Sequence, residues 1–124
     1  MYVFGFEKLE VWKEARVLIL LAYELTEKFP EKEKFGLTNQ MRRSSVSVGA
    51  NIEEGSSRFF TKEHAHFYYR SYGSLMELMS HLFTALDLNY LNDEVFEKTK
   101  SMVQPLSLKI NNLRNAAFAK AEKK

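Results

Sequence analysis

Apolar residues in this chain recur at helical spacing in four stretches. In the first, Leu9, Trp12, Ala15, Ile19, Ala22 and Phe29 lie three, four or seven residues apart, which marks one face of a helix predicted over residues 7–29. Pro30 disfavours helical geometry at Phe29 and so supplies the stop, and the following PEKEKFG reads as a charged connection. A second line, Val11, Leu18 and Leu25, runs beside the first face at seven-residue steps. The apolar arc is wider than one packing partner requires.

The second stretch reads two ways over a short window, because Val46, Val48, Ala50 and Ile52 alternate like a half-buried strand. The wider window favours a helix over residues 37–54: Leu37, Met41, Ser45, Val48 and Ile52 step by four, four, three and four, and no second strand candidate is present to pair with. Ser44, Ser45, Ser47 and Gly49 are weak helix formers, so tertiary contact must hold this segment, through close approach of a neighbouring backbone. Gly55 and the following serines mark a loop.

The third stretch, predicted as a helix over residues 62–90 with Thr61 at its N-cap, carries the most regular signal. Tyr68, Tyr72, Leu75, Met79, Leu82 and Leu86 form a heptad-type seam. Phe67, Ser71, Ser74, Leu78 and Ala85 flank it on one side, and Tyr69, Met76, Phe83 and Tyr90 on the other. Together these cover roughly 240° of the circumference, where a single core-facing stripe needs little more than about 100°. The excess predicts contact with other subunits, built from Val11, Leu18 and Leu25 on the first helix and Tyr69, Met76, Phe83 and Tyr90 on the third. In the last stretch, predicted over residues 93–119, Asn92 serves as N-cap and Asp93 and Glu94 complement the helix dipole. Its face reads Phe96, Thr99, Val103, Leu106, Ile110, Leu113 and Ala117, and Pro105 inside it predicts a kink near Ser101 and Met102. Four helices with short connections predict an all-α, antiparallel up-down-up-down bundle spanning residues 1–124 as one domain.

Composition narrows the functional classes. The 124 residues suffice for one core and are too few for a two-domain enzyme. With no cysteine, disulfide frameworks, thiolate metal sites and cysteine nucleophiles are excluded, and a reducing cytoplasm is the expected location. The opening residues MYVFGF do not have the pattern of a targeting segment, and the longest apolar run, VLILLAY, rises only about 10 Å as a helix, so no membrane partner is expected. The net formal charge of +2 is too balanced to indicate a polyanion partner by itself. Clustering changes this: the last thirty residues hold Lys98, Lys100, Lys109, Arg114, Lys120, Lys123 and Lys124 against Glu97 and Glu122, a net of +5.

Three passages, LEVWKEA, FPEKEKFGLTNQMRRSSVSVGANIEEGSSR and HFYYRSYGSLMEL, resemble the small bacterial proteins encoded in intervening sequences of 23S rRNA genes, also called the S23 ribosomal protein family. The likeness runs from Phe6 to Leu113 and is carried most specifically by Trp12, Phe29, Pro30, Gly36, Leu37, Gln40, Arg43, Ser47, Asn51, Ile52, Glu54, Gly55, Arg58, Gly73, Ser74 and Glu77, in order. The resemblance implies a four-helix bundle that assembles as a homopentameric ring. It also implies kinship with accessory proteins of diversity-generating retroelements, which bind nucleic acid and engage a reverse transcriptase. Gly49, where alanine or proline is usual, Ser57, where glycine is usual, and Pro105 depart from the family pattern.

Candidate chemistry is sparse. Glu53 and Glu54 project about 100° apart on a helix, which suits a cap or an ion pair with Arg58 or Arg43 better than shared acid–base work. His64 and His66 are two apart, off the spacing that places two metal ligands on one helix face. Gly49–Gly55 does not carry the lysine and hydroxyl of a phosphate loop, and the RRSSVSVGAN serines have helix-packing spacing. No catalytic residue, metal or cofactor is assigned, and an enzyme becomes the preferred class only if His64, Glu54 and Arg58 converge in one pocket. Arg42, Arg43, Arg58 and Lys62, with Lys109, Arg114 and Lys120 from the basic terminal helix, are the candidate contacts to RNA or DNA phosphates. For Arg43 an ion pair with Glu54 or Glu77 is the competing role. Phe59, Phe60 and Tyr69 are candidates for base stacking or for burial between subunits. The expected function is a non-enzymatic homo-oligomer, a pentamer by the resemblance, that binds nucleic acid or a nucleoprotein; the alternative is a protein–protein scaffold without nucleic acid.

Overall fold

The computed structural model describes residues 1–122; Lys123 and Lys124, which belong to the basic terminal stretch, lie outside the described residues. Four helices follow in order: α1 (Glu10–Glu27), α2 (Leu37–Ser56), α3 (Thr61–Asp87) and α4 (Asp93–Glu122), with short 3-10 turns at Gly5–Lys8 and Glu31–Glu33. No strand occurs among the described residues, and the alternation in α2 is an incident of its outer face: Val48 and Ile52 are buried while Val46 and Ala50 are exposed. Helix α2 packs along α3, α3 along α4 and α1 along α2, and α1 meets α4 along the sparsest of the four seams between contacting helices. No helix among the described residues is long and apolar enough to cross a membrane.

The core is where the periodicity placed it, with one shift of face. Met41, Val48, Ile52, Leu75, Leu78, Leu82, Leu106 and Ile110 are sealed from solvent, each burial contributing about 1.5–3 kcal/mol. On α3 the buried line is Tyr68, Ser71, Leu75, Leu78, Leu82 and Ala85, while Tyr72, Met79 and Leu86 of the expected seam are only half-buried. Small polar residues produce this rotation. Ser71 donates from Oγ to the Val48 carbonyl at 2.7 Å, the Ser47 and Ser74 hydroxyls meet at 2.8 Å, and Asn51 donates to the Ser47 carbonyl at 2.9 Å. These bonds satisfy buried polar groups while the short side chains let α2 and α3 approach closely.

Helix ends depart from the sequence expectation for local reasons. Helix α1 starts at Glu10, not at residue 7, because Phe4–Leu9 is occupied by a separate turn in which the Phe4 amide donates to Glu7 and the Phe6 ring packs edge-on against Trp12. It ends at Glu27, short of Phe29. Phe60, not Thr61, holds the N-cap position of α3, and buried Thr61 is its first helical residue. Helix α3 stops at Asp87, short of residue 90. Asn89 adopts the left-handed conformation (φ 63°), its amide reaches the Leu86 carbonyl, and the Tyr90 amide reaches the Ala85 carbonyl, which together form a Schellman termination with asparagine in glycine's usual place. Asn92 caps α4 as expected, its Oδ1 accepting from the Val95 amide at 2.8 Å. Pro105 lies inside α4 without interrupting it: α4 is one helix from Asp93 to Glu122. Pro105 is exposed and costs the helix only the amide that would have met the exposed Ser101 carbonyl, which water can serve.

Candidate nucleic-acid interface

The structure sorts the seven candidate cations into engaged and free. Lys109 is engaged: its Nζ donates to Glu10 at 2.9 Å and to Glu14 at 3.0 Å, strapping α4 to α1 across the least packed seam of the bundle. These hydrogen bonds hold the Lys109 ammonium above its ordinary pKa and the Glu10 carboxyl below its own. The structural role removes Lys109 from the set of unencumbered phosphate contacts. Arg58 is also paired, with Glu54 at 2.8 Å one helical turn earlier, and its guanidinium lies over the Phe67 ring at 4.6 Å. Arg114 donates to Asn111 and Asn115 and lies 5.4 Å from the Tyr69 ring centroid. Arg42 donates to the Thr26 hydroxyl at 2.8 Å, pairs with Glu27 at 3.3 Å and lies over Tyr23 at 4.6 Å. Arg43, Lys62 and Lys120 are exposed, and none has an ion-pair partner among the described residues. Neither expected partner of Arg43 holds it: Glu54 is taken by Arg58, and Glu77 faces His81 at 3.4 Å.

At the α2–α3 connection cations and rings alternate. Arg58 and Arg70 both lie on Phe67, at 4.6 and 5.7 Å, while Phe59 and Phe60 project into solvent at 97% and 70% exposure and Lys62 stands in the first turn of α3. The connection is tight because Gly55 packs directly on α3, and the His64 ring nitrogen bonds the Arg58 carbonyl. Glu54 and His64 each bond Arg58, the carboxylate at its guanidinium and the imidazole at its backbone carbonyl, and both bonds close the turn. His66 lies edge-on to Phe67 on the exposed side.

The residues expected at a subunit contact divide as well. Val11 and Leu18 are buried in this chain's own core, so they leave that set; Leu25, Met76 and Tyr90 are half-buried against the same core. Tyr69 and Phe83 remain exposed, at 60% and 45%. The apolar arc of α1 does reach solvent, but through Val17 and Leu20 instead. They were hidden in the sequence because the run VLILLAY has apolar residues on every face.

Two further elements escaped sequence reasoning. Glu33 accepts from the Leu37 amide at 3.2 Å, capping α2, and from the Tyr90 hydroxyl at 2.8 Å. The Tyr90 bond first, then the amide, depress the Glu33 carboxyl pKa, and the same contact raises that of Tyr90. An acid four residues before a helical amide was the available signal. The second element is a groove of about 540 Å³ between α1 and α2, lined by Tyr23, Asn39, Arg42, Arg43, Val46, Ser47 and Ala50. Only its arginines were legible in the sequence.

An all-α four-helix bundle, with several of its surface cations resting on aromatic rings, is the class of protein that fold and surface define. The chain belongs to the 23S rRNA-intervening sequence protein family, whose model matches residues 7–112. It is also similar in fold to a crystal structure of a protein with unknown function from the S23 ribosomal protein family of Bacteroides thetaiotaomicron. The TM-score is 0.78 at 17% identity, covering 84% of this chain and 97% of that one. No curated protein matches it in sequence.

Proposed function

We propose that this protein is a non-enzymatic homo-oligomer, a pentamer by family resemblance, that binds nucleic acid or a nucleoprotein such as a reverse transcriptase complex. The alternation of Arg58, Phe67 and Arg70 beside the bare rings of Phe59 and Phe60 carries the reading. Guanidinium groups resting over rings keep charge available for phosphates, and exposed rings offer sequence-tolerant stacking surfaces. A modest charge per chain is multiplied when copies assemble, which raises the local potential. Titration of labelled structured RNA and DNA into the full chain at two salt concentrations tests it. Binding should weaken steeply with salt. Replacing Lys62 and Arg70 together by glutamine should lower the slope of log K against log salt by about 1 for each phosphate that is no longer neutralised. Absence of binding even at low salt sinks the reading.

The exposed Val17 and Leu20 on α1 favour a second reading, a scaffold that recruits a protein without nucleic acid. Pull-down with and without nuclease separates the two, because capture through nucleic acid disappears on digestion.

A further inference from the structure

The α1–α2 groove differs in kind from the cation-and-ring surface at the α2–α3 connection. Arg42 is pinned at its Nε by Thr26 and at one terminal nitrogen by Glu27, and its guanidinium carbon lies 4.6 Å from the Tyr23 ring centroid. With Glu27 beside it, Arg42 contributes a fixed flat surface more than a free charge. Its neighbour Arg43 is the reverse, exposed and without an acid partner among the described residues. Both line a groove of about 540 Å³, within the range of small-ligand sites, together with the amide of Asn39 and the exposed apolar side chain of Val46.

We propose that this groove holds a single unpaired nucleotide, with its base continuing the Tyr23–Arg42 stack and its phosphate on Arg43. Guanidinium planes accept bases as aromatic rings do. The Asn39 side chain has both donor and acceptor for a base edge, and a guanidinium engages phosphate through paired N–H groups. The proposal rests on the nucleic-acid reading above and makes it specific: this face selects splayed, single-stranded nucleotides over a duplex, whose bases are already stacked and paired.

Calorimetric titration of the full chain with AMP, adenosine and inorganic phosphate at low salt tests it. AMP should bind about tenfold more tightly than either adenosine or phosphate, since each of those engages half of the site. Arg43→Gln should bring AMP down to the level of adenosine. Arg42→Lys, which keeps the charge and removes the plane, should bring AMP down to the level of phosphate. Arg43 is exposed and has no acid partner among the described residues, so its variant should melt as the parent does. The comparison of AMP with phosphate on the parent stands even if Arg42→Lys unfolds. Equal affinity for AMP and phosphate, or AMP binding unchanged by Arg43→Gln, overturns the proposal. If long RNA binds while AMP does not, this site falls and the nucleic-acid function stands; if AMP binds while long RNA and DNA do not, the reverse holds.

Discussion

Gly49 and Gly55 sit on the same helix, and a methyl group added to each would meet opposite surroundings. At Gly49 it would lie 3.6 Å from the Ile19 Cδ1 and 3.7 Å from the Ala15 Cβ, ordinary contact distances. Gly49→Ala should therefore stabilise the fold by about 0.5–1 kcal/mol, the helix-interior penalty of glycine, seen as a higher urea midpoint with unchanged slope. At Gly55 the same atom would fall 2.7 Å from the Tyr68 ring and 3.1 Å from the Phe67 Cβ. Gly55→Ala should destabilise by about 1–3 kcal/mol in the same titration, because the crowding involves the root of a neighbouring side chain as well as a ring. Helical spacing did not distinguish the two glycines; only the family resemblance did, with alanine or proline usual at Gly49 and Gly55 among the residues that carry the likeness. What a residue touches across a helix pair is invisible in one-dimensional spacing. The Tyr90–Glu33 bond was invisible for the same reason, and it has a pH signature. Glu33 titrates lower in the folded chain than unfolded, so its stabilising contribution is present above the unfolded carboxylate value and is lost as pH falls through the folded one. Tyr90→Phe should remove that bond and shift the acid-unfolding midpoint to higher pH.

Among elements, helix existence was legible everywhere because each segment carries a sustained apolar period, and α2 was rescued from its strand-like alternation by the wider window. Ends were legible only where a side chain announces them, as Asn92 does. The stop at Asn89 depends on backbone bonds from Asn89 and Tyr90 back to Leu86 and Ala85, and Tyr90 itself continued the apolar period past the true end. Pro105 leaves α4 continuous, because its exposed site tolerates the missing bond. Replacing Pro105 by alanine should raise stability by about 1–3 kcal/mol, less the gain in unfolded-chain freedom, with helicity unchanged by circular dichroism. The strap between α1 and α4 responds to pH at two edges. Glu10 is lowered and Lys109 raised by one shared contact. Its contribution is present between the unfolded carboxylate and ammonium values and is lost as pH falls through the folded Glu10 value or rises through the folded Lys109 value. Lys109→Gln should flatten the stability profile at both edges, measured as melting temperature against pH.

At the scale of the whole molecule, the bundle and its family were readable from ordered motifs, while the binding surface was readable only as a set of cations. Whether a cation is free depends on partners far along the chain: Lys109 meets acids about a hundred residues away, while adjacent Arg42 and Arg43 differ in whether an acid holds them. Subunit contacts were misassigned in part for the same reason, as Val11 and Leu18 serve their own core. If Tyr69 and Phe83 bury against another copy, light scattering after size exclusion should report a mass above the monomer at micromolar concentration. Replacing both by serine should lower that mass without altering the helical spectrum. A monomeric parent would end the assembly proposal. The two ends of the bundle are built unequally, and this governs how it moves. Tyr90 joins the loop before α2 to the loop before α4 by a bond spanning 57 residues and a ring contact with Phe29. At the other end Ala65, Tyr68 and Ala117 form a small cluster separate from the main core. Local opening should start at that second end and travel, so amide exchange under native conditions should run as a gradient along the bundle axis. The residues proposed to meet nucleic acid at the α2–α3 connection lie at the end expected to open first.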